Sequence, residues 1–196
     1  MAATPSTMLE LGTALPTFRL PDFNGKPVSP DQFKEAGAIV VAFICPHCPF
    51  VRHIRNEFSR FALEYRANGL AVIAINSNDR VAYPDDGPDG MKKEAEEVGY
   101  VFPYLVDEDQ SVAKTFRAAC TPDFFLFDRN RKLAYRGQFD DSRPSTEIAI
   151  TGSDLRAAAD AVLANRSASA NQKPSVGCNI KWKPGQAPEY YSKAAI

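Results

Sequence analysis

Two of the four cysteines in this 196-residue chain stand in one short stretch, Cys45-Pro46-His47-Cys48. An apolar run, Ala38-Ile39-Val40-Val41-Ala42-Phe43-Ile44, precedes them, and a segment with helical periodicity, residues 50–65, follows. Strand, CxxC, helix is the layout of a redox-active dithiol. The reason is electrostatic. A cysteine at a helix N-terminus sits among unpartnered backbone N–H groups and at the positive end of the dipole. Those surroundings favour the thiolate, which is the attacking species. Two intervening residues bring the second sulfur close enough on the same turn to close a disulfide. His47, protonated or hydrogen-bonding, would stabilise a Cys45 thiolate and make the disulfide more oxidising. The same spacing serves as half of a zinc site, but no second CxxC exists, and Cys120 and Cys178 stand alone. A buried and inert pair is the third reading.

Composition narrows the classes around this centre. Lys and Arg number 23 against 24 Asp and Glu, for a net charge of −1, so nothing points to nucleic acid or an anionic membrane as partner. No apolar stretch approaches the roughly 20 residues of a membrane span. Residues 1–10 lack the basic-then-apolar pattern of a secretory signal. Four cysteines in this length are not a disulfide scaffold. The expected compartment is the reducing cytosol, where a cysteine pair is catalytic or redox-sensing. The length suits one domain with a full core.

The elements that must position the dithiol follow from hydrophobic period and turn residues. Residues 9–36 read as short strands and turns, with Asn24-Gly25 as a hairpin signal. Residues 38–44 suit a central strand buried on both faces. A helix over 49–66 places Phe50, Ile54, Phe58, Phe61 and Tyr65 on one stripe, and Asn68-Gly69 ends it. Residues 70–75 are a second buried strand. Residues 76–90 form a polar, Pro- and Gly-rich loop whose relation to the dithiol the sequence leaves open. Helices at 91–98 and 111–118, a hairpin of 124–127 with 133–137, and a helix at 154–164 capped by Ser153 complete the pattern. Residues 1–8 form an arm, 9–164 the domain, and 165–196 a C-terminal tail packed on it. Strands alternating with helices, then a hairpin and a last helix, define an α/β sandwich.

This order resembles the thioredoxin fold, and more closely its peroxiredoxin-like redoxin branch. Leu11-Gly12, Phe18-Arg19-Leu20-Pro21-Asp22 and Asn24-Gly25-Lys26 resemble the N-terminal hairpin of that branch. Phe43-Ile44-Cys45-Pro46-His47-Cys48-Pro49 resembles its active-site segment. Thr121-Pro122-Asp123-Phe124-Phe125-Leu126-Phe127-Asp128 is similar to the strand entry that carries the fold's cis-proline. Gly177-Cys178-Asn179-Ile180-Lys181-Trp182-Lys183 resembles a tail of peroxiredoxin-like proteins with a CxxC. The resemblance implies a thioredoxin-like three-layer α/β/α sandwich with an N-terminal β-hairpin extension and a C-terminal tail.

It also implies roles. Cys45 is the exposed nucleophile, Cys48 the resolving thiol, and His47 tunes the pair. Pro46-His47 matches the dipeptide of strongly oxidising bacterial disulfide oxidoreductases. Thr121 and Pro122, with Pro46, shape the substrate site, the backbone of Thr121 offering an edge to an extended partner. Cys120 and Cys178 are candidate accessory redox thiols, with burial and anchoring as their plainer readings. His53 reads as a surface or packing residue. The implied activity is thiol–disulfide exchange with protein or small-molecule disulfides, needing no cofactor and no metal.

The sequence departs from these patterns in places. Ile39 stands where thioredoxins carry a buried acid, and Ile44 where they carry Trp, which implies poor reduction of protein disulfides. Pro49 removes a backbone donor from the first helical turns. Thiol peroxidase is the alternative activity: aligned on the helix start, Cys48 takes the peroxidatic place. Cys45 then replaces the usual threonine, and residues 121–127 hold no arginine. Both groups polarise peroxide, so both losses weaken that reading. Copper binding is a further alternative. Cys45 and Cys48 are soft ligands suited to Cu(I), but His47 and His53 are too near in sequence to match a distant third ligand.

Overall fold

A computed structural model of the chain describes residues 3–194. In chain order the strands are β1 (Ala3–Pro5), β2 (Leu20–Pro21), β3 (Pro27–Val28), β4 (Ala38–Phe43), β5 (Leu70–Asn76), β6 (Tyr104–Val106), β7 (Cys120–Thr121), β8 (Asp123–Phe127), β9 (Leu133–Gly137) and β10 (Val176–Asn179). The helices are α1 (Pro49–Arg66), α2 (Pro88–Val98), α3 (Ser111–Phe116), α4 (Ser153–Leu163) and α5 (Glu189–Ala194).

Five strands form the main sheet in the order β6-β5-β4-β8-β9. The central strand β4 runs parallel to β5, with Val40 opposite Val72, and antiparallel to β8, with Val41 opposite Phe125. Every residue of β4 is buried. Its side chains alternate between two cores because successive residues of a strand point to opposite faces. Ala38, Val40, Ala42 and Ile44 pack with α1, α2 and α4 through Ile54, Phe58, Phe61, Met91 and Leu155. Ile39, Val41 and Phe43 pack with α3 and the hairpin β2–β3 through Phe116, Val28 and Phe18. The result is the expected three-layer sandwich. Phe58, 1 % exposed and ringed by Phe61, Phe102, Phe124 and Phe139, anchors the first core. Truncating such a side chain to Ala costs about 3–5 kcal/mol.

Several elements differ from the sequence reading. On α1 the buried stripe runs through Val51, Ile54, Phe58, Phe61, Ala62 and Tyr65, while Phe50 is only partly buried. The cap of α4 is Gly152, not Ser153. The buried Asp140 carboxylate accepts the N–H groups of Thr151 and Gly152 at 2.7 and 2.6 Å. That holds the turn at a left-handed φ of 65°, which glycine adopts without penalty. The 76–90 loop is not featureless: Pro84–Asp86 is a 3-10 turn, and α2 starts at Pro88.

The residues read as arm and tail meet in a second sheet, of order β1-β10-β7. Ala3 pairs with Cys178, and Cys178 with Thr121. Two- to four-residue strands without apolar alternation leave no sequence signal. Gly177 permits the approach: a Cβ there would lie 2.0 Å from the Thr121 carbonyl oxygen.

Candidate active site

The dithiol lies where β4 ends and α1 begins, and the helix spans the residues expected of it. Pro49 is the first residue of α1 and Cys48 its N-cap, in extended conformation at φ −68° and ψ 121°. Proline suits the first helical position and pushes the residue before it out of the helical region. Cys45, Pro46 and His47 therefore precede the helix. Cys48, not Cys45, holds the place at its positive end. The expectation of an exposed Cys45 at the helix N-terminus is corrected on both counts, for Cys45 and Cys48 are each 0 % exposed.

The two sulfurs sit in opposite electrostatic surroundings. Cys48 is held well below the ordinary thiol range. The thiols of Cys178 and then Cys45 hydrogen-bond to its sulfur, with smaller help from Thr121 and the Val51 amide, against the opposing effect of burial. When protonated, Cys48 can instead donate to the Thr121 carbonyl oxygen at 3.1 Å, which favours the thiol. The several donors around the sulfur outweigh that one acceptor. Cys45 is pushed well up, first by burial, then by its hydrogen bond to Cys48 and the negative charge of Asp86. Its sulfur lies 3.5 Å from Thr121 Oγ1 and 4.0 Å from His47 Nδ1. Cys178 is raised as well, chiefly because it donates to Cys48. One thiolate, on Cys48, served by two thiols is the arrangement these contacts favour.

His47 does not act on Cys45 alone. Its Nδ1 hydrogen-bonds Asp86, its backbone N–H donates to Asp86 Oδ1 at 3.1 Å, and its ring stacks on Tyr83 at 5.5 Å. Asp86 is 2 % exposed and also accepts from Asn78 Nδ2 at 2.8 Å. Asn76 Nδ2 fixes the Asp86 carbonyl at 2.7 Å. The 76–90 loop thus delivers a buried carboxylate and an aromatic face to the dithiol. Sequence reading missed Asp86 because it is one of several aspartates in a polar loop. Only its position after Pro84, in a turn before a helix, hinted at order.

The remaining candidates sort clearly. The Thr121–Pro122 bond is cis, as the resemblance implied. Thr121 touches both sulfurs, Cys45 through its hydroxyl and Cys48 through its carbonyl. The edge that Thr121 was expected to offer a partner is already filled by β10. Pro46 is buried, its carbonyl accepting Arg52 Nε at 2.8 Å. Cys120 faces the carbonyls of Pro122 and Ser175, with burial pushing its thiol up. His53 pairs with Ser142 Oγ at 3.1 Å, away from the dithiol. Cys45 Sγ, a His47 nitrogen and an Asp86 oxygen lie within 4.8 Å of one another and can hold a metal ion. Tertiary folding thus supplies His47 with a partner ligand that sequence distance did not reveal. The mixed soft and hard donor set suits zinc better than Cu(I).

A dithiol at the junction of a central strand and a helix, facing a cis-proline, on this sandwich, defines a thioredoxin-fold redoxin. The chain belongs to the AhpC/TSA family, whose profile matches residues 11–136. A curated relative, the thiol-disulfide oxidoreductase ResA of Bacillus thuringiensis subsp. konkukian, is 24 % identical over 132 residues, covering 66 % of this chain and 70 % of that protein. The crystal structure of a hypothetical protein from Sinorhizobium meliloti 1021 is 51 % identical with a TM-score of 0.91, over 93 % of this chain and all of that one (100 %). The thioredoxin domain of a thiol-disulfide oxidoreductase from Bacteroides vulgatus shares the fold at 20 % identity, TM-score 0.56, over 65 % of this chain and 88 % of that one. The chain is an oxidoreductase of the redoxin group.

Proposed function

We propose that the chain catalyses thiol–disulfide exchange through Cys45 and Cys48. The observation that carries this reading is the placement of the pair, Cys48 at the N-cap of α1 and both sulfurs in contact with Thr121 beside the cis-proline. A thiolate at a helix N-terminus is the reactive form of cysteine. Cys48 attacks one sulfur of a partner disulfide, and the partner's other sulfur leaves as a thiolate and takes a proton. Loss of the Cys48 charge removes one cause of Cys45's raised pKa. Cys45 then gives up its proton and attacks Cys48, closing the Cys45–Cys48 disulfide and releasing the partner's second thiol. The sequence pattern alone assigned attack to Cys45. Burial and the Asp86 charge favour the reverse order. Thr121 and Pro122 position the sulfurs, and His47 and Asp86 form the polar wall on the Cys45 side. The reducing cytosol is the proposed compartment.

Peroxide reduction is a second reading, supported by Cys48 holding the N-cap of α1, the position aligned with a peroxidatic cysteine. Arg52, one turn on, points its guanidinium to the Pro46 carbonyl. The test of both readings is a titration in glutathione buffers with thiol trapping and peptide mapping, beside a peroxide-consumption assay. A reversible Cys45–Cys48 couple with slow peroxide turnover is the expected result. No Cys45–Cys48 disulfide at any poise overturns the exchange reading.

A further inference from the structure

The edge of β7 carries a cysteine of the same chain. Cys178 is in register with Thr121, the residue before the cis-proline, and lies in the core cluster that holds Cys45 and Cys48. Thr121 touches Cys45 on one side and Cys48 on the other. The tail thus lies where an extended disulfide partner would pair, and its cysteine meets the redox centre.

The placement of this tail is enforced. Gly177 lets β10 close on Thr121. Beyond it, the Asp79 amide donates to the Lys181 carbonyl at 2.8 Å, and the Lys181 amide donates to Asn78 Oδ1 at 2.8 Å. Gln110, buried, donates to the Lys181 carbonyl at 2.9 Å and accepts the Lys183 amide at 2.9 Å. On the other side, the Ser6 amide donates to the Ser175 carbonyl at 2.8 Å. These contacts tie the tail to the loop that carries Asp86 as well as to β1. A free end would need none of them.

We infer that Cys178 is a third redox thiol, which exchanges with the Cys45–Cys48 disulfide by attacking Cys48. The inference rests on the proposed exchange activity. Cys178 gives up its proton and its thiolate attacks Cys48 Sγ. The Cys48–Cys178 bond forms, the Cys45–Cys48 bond breaks, and the electron pair leaves on Cys45, which takes the proton. The oxidation level is unchanged and no outside oxidant enters. Cys48 and burial hold the Cys178 thiol up in the reduced centre; once Cys48 is tied up in the disulfide burial remains, with Lys181 and then the Phe50 amide acting against it. The step carries the disulfide from the wall of Asp86 and His47 to the tail sheet, leaving Cys45 free.

Disulfide mapping of the wild-type chain, equilibrated in glutathione buffers and quenched with acid and N-ethylmaleimide, tests this. Two oxidised species are expected, Cys45–Cys48 and Cys48–Cys178. The second should make up about a tenth or more of the oxidised protein, which places the two disulfides within about tenfold of each other. A Cys45–Cys48 disulfide with no Cys48–Cys178 species at any poise overturns the relay and leaves the exchange reading intact. The Cys178→Ser variant separates the two claims. It should retain Cys45–Cys48, and if neither it nor the wild type forms that bond, the exchange reading fails instead.

Discussion

The two sides of the dithiol differ more than three residues of separation would suggest. On one side Cys45 faces Asp86, His47 and Tyr83, a polar wall supplied by the loop after β5. On the other, Cys48 faces the Cys178 thiol and the Val51 amide of α1. Both sulfurs are equally shut off from solvent. Burial alone would raise both thiols. What separates them is the sign of the nearest fixed charge or dipole: a carboxylate beside Cys45, a helix N-terminus and two S–H donors beside Cys48. The lesson is that position within a CxxC does not decide which sulfur ionises. The donors gathered around each sulfur do, at Cys48 the Cys178 and Cys45 thiols first and the Val51 amide after them.

The largest effect expected from breaking this asymmetry is at Cys48. Cys48→Ser should lower exchange at pH 7 by about 10³-fold or more, because the only stabilised thiolate is gone. Thiolate absorbance at 240 nm near pH 6 should vanish in Cys48→Ser and persist in Cys45→Ser. The reverse pattern would return the thiolate to Cys45. Next comes Asp86→Asn, which removes the charge on the Cys45 side only. The Cys45 thiol should ionise more readily, and its alkylation at pH 8 should quicken roughly tenfold, with Cys48 little changed. Equal shifts at both sulfurs would mean that the two sides share one field.

Glu94 sharpens the comparison from beneath. It is buried on α2, with its pKa pushed up to about 7 by burial, which outweighs Arg55, and with added repulsion from Asp86 and Cys48. A carboxyl group raised in the folded state binds its proton more tightly there than when unfolded. Its contribution therefore falls as pH climbs from the unfolded value of about 4.3 to 7, then levels off. Glu94→Gln should stabilise the protein by roughly 1–3 kcal/mol at pH 8 and by little at pH 4, read by urea denaturation. A gain that does not change with pH would point to packing. The smallest effect belongs to His53. His53→Ala removes one hydrogen bond to Ser142 and should cost about 1 kcal/mol, leaving both thiols as they are.

Much of this was legible in the residues themselves. The apolar run of β4 could only be a strand covered on both faces, and the α1 stripe could only face it. CxxC between them marked the chemistry, and Thr121-Pro122 marked the strand that meets it. Asp86 was hidden because a loop aspartate has no period to give it away. The pairing of β10 with β7 was hidden because strands of two and four residues are made by long-range contact, not by local preference.

The chain's own residue types determined that a dithiol would sit between a buried strand and a helix, and Pro49 determined where that helix begins. Local sterics act over one or two residues, so they are written in order along the chain. Tertiary structure alone decided which charges surround each sulfur and that Cys178 lies beside Cys48. Electrostatic surroundings and strand edges are set by distance in space, and here they join residues as far apart in the chain as Cys48 and Cys178, or Ala3 and Cys178.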